Sequence, residues 1–120
     1  MMQKLVGIFR TSSDLEEAIG HIGSLRKRWA KVRTVGTPAY NPGWNLVFEL
    51  RNMLVCSEAV ARSALQRTES RGAHARLDHP GLDAEWGKRN NAVSQEGEEM
   101  RVEARPIPEM PDDLRSLITT

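Results

Sequence analysis

The residues of this chain that could do chemistry crowd into one stretch, Arg67-Thr68-Glu69-Ser70-Arg71-Gly72-Ala73-His74-Ala75-Arg76-Leu77-Asp78-His79-Pro80. A guanidinium binds a carboxylate or phosphate through two parallel N–H···O bonds, so arginines alternating with acids suit an ion-pair junction or an anion site. Arg67 and Arg71 stand four apart, the spacing that puts two side chains on one helix face. Cations also belong at a helix C-terminus, where unpaired carbonyls gather negative charge. The residues alone leave two readings open. One is a helix end with solvated arginines; the other is a polar junction where arginines meet carboxylates or an anionic ligand.

Other candidates are weaker. His74, Asp78 and His79 are metal-ligating types, but first-row metal sites draw three or more ligands in a defined geometry and no second ligand segment is present, so no metal is expected. Cys56 lies among apolar residues with no acidifying partner nearby in sequence and reads as a packed thiol. Arg26-Lys27-Arg28-Trp29-Ala30-Lys31-Val32-Arg33 reads as the basic last turn of a helix. A nucleic-acid stripe is disfavoured because the whole chain carries a net charge of only +1. The glycine patterns of the common phosphate loops do not occur. No nucleophile, base and oxyanion donors compose a catalytic set.

These side chains need elements to hold them. Ser13-Asp14-Leu15-Glu16 has the form of a capping box. It predicts a helix to about Lys31 with Leu15, Ile19, Ile22, Leu25 (or the stem of Arg26) and Trp29 on its buried stripe. Gly20 and Gly23 are poor helix residues, which suggests that another backbone packs closely there. Gly36, Pro38, Pro42 and Gly43 mark a turn. A long second helix is expected from about Asn45 to Arg71, with Leu46, Leu50, Met53, Leu54, Ser57, Val60, Ala61, Ala64 and Leu65 inside and Gly72 as its terminating left-handed residue. Met2 to Phe9 is apolar enough for a short helix. The predicted class is therefore mainly α: an antiparallel helical bundle over 1–72, made of a short N-terminal helix and two longer ones. Over 73–120 the expectation is an irregular loop turning at Pro80-Gly81, a small β-hairpin from 91–94 and 100–105, and an extended tail held by Pro106, Pro108 and Pro111. That segment should pack on the bundle or on a missing domain, with one domain overall.

Composition bounds the answer. The length of 120 residues suits a single domain. One cysteine excludes an internal disulfide framework and a multi-cysteine zinc site. No apolar run approaches the ~20 residues of a membrane span, and the N-terminus lacks a signal-peptide pattern, so a cytosolic compartment is expected. Residues 1–76 carry a net +6 and residues 77–120 a net −5. Such a split favours complementarity within or between chains over binding to nucleic acid.

The ungapped string Arg67-Thr-Glu-Ser-Arg-Gly-Ala-His74-x-Arg76-x-Asp78-x-Pro80-x-x-Asp83-x-x-Trp86 resembles the C-terminal helical domain of the flavoprotein subunit of succinate dehydrogenase and fumarate reductase. That domain is also similar to one in L-aspartate oxidase. Val6-Gly7-Ile8-Phe9-Arg10-Thr11 resembles the family's segment before its first capped helix. Tyr40-Asn41-Pro42-Gly43-Trp44-Asn45 and the tail from Arg105-Pro106-x-Pro108 to Asp113-Leu114 resemble the actinobacterial, menaquinone-using branch. The resemblance implies a role in succinate–fumarate interconversion as the last fifth or so of a larger subunit. Met1-Met2 begins inside the family's first helix, which suggests an abbreviated start.

The full-length family enzyme holds covalent FAD; no cofactor and no catalytic residue is implied in this chain, since the family's flavin-linking and substrate residues lie upstream. Arg67, Glu69, Arg71, His74 and Arg76 would face and support the flavin domain. His79 stands where many relatives have an aromatic residue. Implied partners are the FAD and capping domains and the iron–sulfur subunit, without nucleic acid or direct membrane insertion, at the inner face of the cell membrane. Isolated, the chain would self-associate through its docking face or show a mobile tail. The alternative is a standalone helical protein–protein interaction module.

Overall fold

The computed structural model describes residues 1–97 and 99–118, with Ser116 described by its backbone alone. A short helix α1 (Met2–Leu5) leads into a two-residue strand β1 (Phe9–Arg10) and then helix α2 (Ser12–Trp29). The α2 cap is Thr11, whose hydroxyl oxygen accepts from the Asp14 N–H at 3.2 Å. It lies two residues before the expected Ser13 box. The reason is tertiary: β1 keeps the backbone extended through Arg10, so the helix starts as soon as that pairing ends. Arg26, Lys27 and Arg28 fill the last turn of α2, where the helix dipole favours them.

Helix α3 spans Pro42–Gln66. The Asn41 side chain accepts from the Gly43 N–H at 2.9 Å, and Pro42 occupies a first-turn position that needs no N–H donor. Its end falls five residues before the expected Arg71, because Arg67 already has an extended backbone (φ −81°, ψ 101°). Gly72 is therefore not a helix cap. Its φ of +58° serves a separate tight turn, closed by hydrogen bonds in both directions between the Arg71 and His74 backbones.

Leu15, Ala18 and Ile22 of α2 pack with Leu54, Ala61 and Ala64 of α3, and Leu5 and Val6 close one side. The small contacts are the alanines. A Cβ placed at Gly20 or Gly23 would meet nothing within 4 Å, so close backbone packing is not what those glycines provide. Nothing else in the structure explains them. Leu25 lies at the exposed margin. The Trp29 indole N–H donates to the Val47 carbonyl at 2.9 Å, which ties the end of α2 to the start of α3. Buried Glu58 accepts from Arg26 of α2 and from Arg62 of its own helix.

Two apolar stripes run along α3, and one is covered. Leu46, Leu50, Met53 and Val60, expected inside, are exposed. Cys56 is exposed as well, so it is not the packed thiol its neighbours suggested.

Beyond α3, the expected irregular loop contains strand β2 (Ala75–Arg76), which pairs in parallel with β1 in the register Phe9↔Ala75 and Arg10↔Arg76. A 3₁₀ turn (Trp86–Lys88) precedes a hairpin of β3 (Arg89–Glu96) and β4 (Glu99–Pro106), longer than the two short runs expected. It pairs antiparallel from Arg89↔Pro106 to Glu96↔Glu99 and turns at Gly97, where φ is +63°. The Asn91 amide donates to the Ser63 carbonyl at 2.8 Å and fastens β3 to α3. The tail is not extended throughout. After Pro111 it forms α4 (Asp112–Ile118), with Asp112 and Asp113 in the first turn, where acids are favoured. Four helices and small strands make up the described chain.

Candidate functional site: a knot of arginines and carboxylates

The stretch after α3 folds back on the helix pair and forms two carboxylate–guanidinium clusters, each centred on one buried side chain. Glu69 is the centre of the first, with 1% of its surface exposed. Its Oε1 accepts from Arg67 Nε at 2.8 Å and Arg71 Nε at 2.9 Å; its Oε2 accepts from Arg71 Nη2 at 3.1 Å and the Asp83 backbone N–H at 2.8 Å. Arg67 and Arg71 therefore meet around one acid, not along one helix face. Glu69 is covered by these partners rather than by depth. The hydrogen bonds from Arg71, then the Asp83 N–H and Arg67, outweigh desolvation and hold its pKa at about 2. Reciprocally, Glu69 raises the pKa of Arg71. Arg67 also lies over the Trp86 ring, 5.3 Å from its centroid, and donates to the Trp86 carbonyl at 2.9 Å. The Trp86 indole N–H donates to Thr68 Oγ1 at 3.0 Å.

Arg76 centres the second cluster, also 1% exposed. Its Nε and Nη2 form a two-pronged contact with Asp78, both at 2.8 Å. Its Nη1 donates to the carbonyls of Ala64, Leu65 and Arg67, at 2.9, 3.1 and 3.1 Å. Those are the unpaired carbonyls of the α3 C-terminus, so a guanidinium does the work of a helix cap. Nη2 also donates to Ser12 Oγ at 2.7 Å. Asp78 in turn accepts from the Ser12 backbone N–H at 2.9 Å and the Ser12 hydroxyl at 2.6 Å, at the start of α2. A cation thus sits at one helix end and an anion at the other, and the pair bridges both. Arg76 first, then the Ser12 donors, keep the Asp78 pKa well below the usual carboxylate range.

His74 belongs to the same junction without joining either carboxylate. Its Nε2 lies 3.1 Å from the Arg67 carbonyl. A carbonyl only accepts, so Nε2 carries the proton. Burial lowers the His74 pKa first, and the neighbouring Arg10, Arg76 and Arg67 reinforce that, against the carbonyl contact. The ring is neutral at pH 7.

All five residues singled out in the sequence, Arg67, Glu69, Arg71, His74 and Arg76, are therefore in one place. Three participants were missed. Ser12 carries no signal beyond standing before a helix. Asp83 contributes a backbone N–H, which no side-chain pattern reveals. Arg10 is 66 residues from Arg76 and is brought opposite it by strand register. Among the described residues no three His, Cys, Asp or Glu side chains converge.

Fold and junction together define a helical domain whose buried charges neutralise one another and fasten a returning segment onto the helix ends. Comparison with known proteins makes this specific. The family described as fumarate reductase flavoprotein C-term matches residues 1–112, and the chain belongs to that family. It is 30% identical over 109 residues to the fumarate reductase flavoprotein subunit of Haemophilus influenzae, covering 89% of this chain and 18% of that protein. It is 38% identical over 87 residues to the L-aspartate oxidase of Acinetobacter baylyi, covering 72% of this chain and 15% of that protein. The solved structure of Mycobacterium smegmatis Sdh1 in complex with UQ1 superposes with a TM-score of 0.78 at 38% identity, covering 98% of this chain and 20% of that one. The chain thus spans a fifth or less of the proteins it matches.

Proposed function

We propose that this chain serves as the C-terminal domain of a flavoprotein subunit that interconverts succinate and fumarate, and that its arginine–carboxylate knot is the rigid surface supporting the flavin domain. The observation that carries this is the contrast between a knot whose central Glu69 and Arg76 are paired on every side and an open overall shape. The radius of gyration is 18.8 Å, with extents of 63 × 36 × 26 Å. A compact chain of this length has roughly 14 Å. Such a shape, with an apolar stripe of α3 uncovered, suits a piece that covers something larger.

In this reading α2 and α3 form an antiparallel pair, consistent with Trp29 meeting Val47 at one end and Ser12 meeting the last turn of α3 through Arg76 at the other. FAD, when bound, supplies the hydride chemistry and is held by the remainder of the subunit. This chain contributes position. Arg67, Glu69, Arg71, His74 and Arg76 fix the face against which the flavin domain rests. The iron–sulfur subunit is the onward partner, and the complex lies against the inner face of the membrane. No helix among the described residues is long and apolar enough to cross a membrane.

The test is Arg71→Ala in a flavoprotein subunit carrying this chain as its C-terminal segment. Flavin incorporation should fall by more than the apparent KM for succinate rises. A rise in KM with full flavin content would overturn the support role.

A further inference from the structure

The two ends of the β3–β4 hairpin meet the helices differently. Its base is fastened, with the Asn91 amide on the Ser63 carbonyl and Arg67 on the Arg89 carbonyl. From Val93 to Arg101, no hydrogen bond or ion pair reaches α2 or α3 among the described residues. Between the outer half of the hairpin and the helix pair lies a cavity of about 320 Å³. Trp29, Leu54 and Val55 line it from the helices, Val93 and Met100 from the hairpin. Val55 and Val93, one on each wall, are exposed. Water in such a hollow wets carbon on both sides, and a two-stranded hairpin has little stability of its own to hold the gap open. Small molecules are held in cavities of roughly 300 Å³ and upward, with mainly apolar walls and a few polar groups.

The charged residues narrow the class of molecule. Arg26, Arg51 and Glu99 line the cavity. Arg26 is taken up by buried Glu58. Arg51 lies over the Trp29 ring, 5.9 Å from its centroid, and has no carboxylate partner among the described residues. Glu99, on the hairpin wall, has no cation among them. One free guanidinium against one free carboxylate favours a singly charged anionic head over a doubly charged one. Lys27 and Arg62 border the adjoining opening along α2 and keep the approach positive.

We propose that this cavity binds a small monocarboxylate with a flat apolar body. The carboxylate accepts from the Arg51 guanidinium. The body fills the space among Leu54, Val55, Val93 and Met100, beside the Trp29 indole. Bound there, the molecule joins the outer half of the hairpin to the helices, which the contacts of the chain itself leave apart. A segment of another chain fits less well. A round cavity of this volume is roughly 8 Å across, narrower than the 10–12 Å of a helix and shorter than the ~17 Å of an ordinary strand.

The experiment uses naphthoate as the probe, naphthamide as its uncharged counterpart and naphthyl phosphate as its doubly charged one. Each is titrated into the 120-residue chain and into a flavoprotein subunit carrying it. Cys56 is exposed and lines the cavity, so the maleimide labelling rate of the Cys56 peptide, read by mass spectrometry, reports occupancy. Naphthoate should bind with a dissociation constant of about 1 mM or tighter, ordinary for a ligand of its size, and should slow Cys56 labelling in proportion to occupancy. Naphthamide and naphthyl phosphate should bind at least about tenfold more weakly. Arg51→Gln should bring naphthoate down to the level of naphthamide with the circular dichroism of the fold retained. Arg33→Gln, which removes a cation outside the cavity, should leave binding unchanged.

Equal binding of the three probes, or an equal loss in Arg33→Gln, would reveal a merely sticky or merely basic surface and overturn the proposal. So would naphthoate binding that leaves Cys56 labelling unchanged, or no naphthoate binding at all. Tighter binding of naphthyl phosphate would overturn the singly charged head. Binding to the chain alone that vanishes in the subunit would assign the cavity to the remainder of that subunit. The inference does not depend on flavin support: Arg71→Ala with full flavin content would leave it standing.

Discussion

The Arg76 cluster and the Arg10 side chain lie side by side, yet they are built on opposite principles. Around Arg76, every guanidinium N–H has an acceptor: Asp78 on one edge, the α3 carbonyls on another, Ser12 on a third. Around Arg10, its own buried Nε–H and the buried Asn91 side-chain oxygen have none among the described residues. The first arrangement is finished within the chain and holds the returning segment to both helix ends. The second leaves a sealed donor and a sealed acceptor unsatisfied among the described residues. Buried polar groups in a folded protein are normally paired, so the difference separates a cluster that fastens the fold from a position that the fold carries at a cost.

The largest effect that could break this contrast belongs to Arg76→Ala. It leaves Asp78 without its partner, uncaps three α3 carbonyls and unties Ser12. Asp78 keeps contact with water, so the cost comes mainly from the lost hydrogen bonds to the α3 carbonyls and Ser12, about 3 kcal/mol in all. Urea unfolding of the isolated chain should show a loss of that order, together with weakened β1–β2 pairing by amide exchange. A loss no larger than that of a surface substitution would mean that the cluster does not hold the fold.

Glu69→Gln comes next, at about 2–3 kcal/mol. The amide keeps one acceptor for Arg67 and Arg71 but turns its N–H₂ toward a further donor, Arg71 Nη2 or the Asp83 N–H. The same carboxylate predicts a pH dependence. Its folded pKa of about 2 lies below its ordinary 4.5, so its stabilisation is complete above pH 4.5 and is lost as pH falls toward 2. Asp78, shifted in the same direction, steepens the acid limb. His74 adds a gentler term with the same sign. Its pKa is depressed, so its contribution is present above about pH 6.5 and declines as the unfolded ring takes up its proton. Stability measured from pH 7 to 2 should fall throughout, with Glu69→Gln flattening the segment below pH 4.5.

How much of this was legible in the sequence depends on the range of the interaction. The α2 stripe of Leu15, Ile22 and the partly buried Ile19 and Trp29 followed from helical spacing, because local periodicity and burial coincide there. The density of arginine and acid between Arg67 and Asp78 announced the junction. Its geometry was not readable. Arg67 and Arg71 looked like helix neighbours because a helix was assumed to continue to Gly72, whereas the guanidinium of Arg76 stops α3 at Gln66 by taking its terminal carbonyls. The Thr11 cap and the opposition of Arg10 to Arg76 both stem from a two-residue parallel pairing between segments 66 residues apart. Strands that short leave no alternation to detect. Which of the two apolar stripes of α3 is covered was equally hidden, since Leu46, Leu50 and Met53 share the spacing of buried residues.

That uncovered stripe supplies the smallest effect on stability and the sharpest complement to the first. Met53 is 65% exposed and Leu46 64% exposed, and neither touches the junction. Replacing both by glutamine should change the stability of the isolated chain by no more than about 0.5 kcal/mol each, because little apolar area leaves or enters water. If the stripe is a covered face in the assembled subunit, the wild-type chain alone should associate with itself through it, as contiguous exposed apolar surface does. Sedimentation should then show concentration-dependent mass for the wild type and a monomer for the double variant, while Arg76→Ala loses stability without losing the tendency to associate. The opposite pattern, with Met53 and Leu46 essential to folding and indifferent to association, would place the stripe inside the fold and erase the distinction between a face built to hold and a face built to be held.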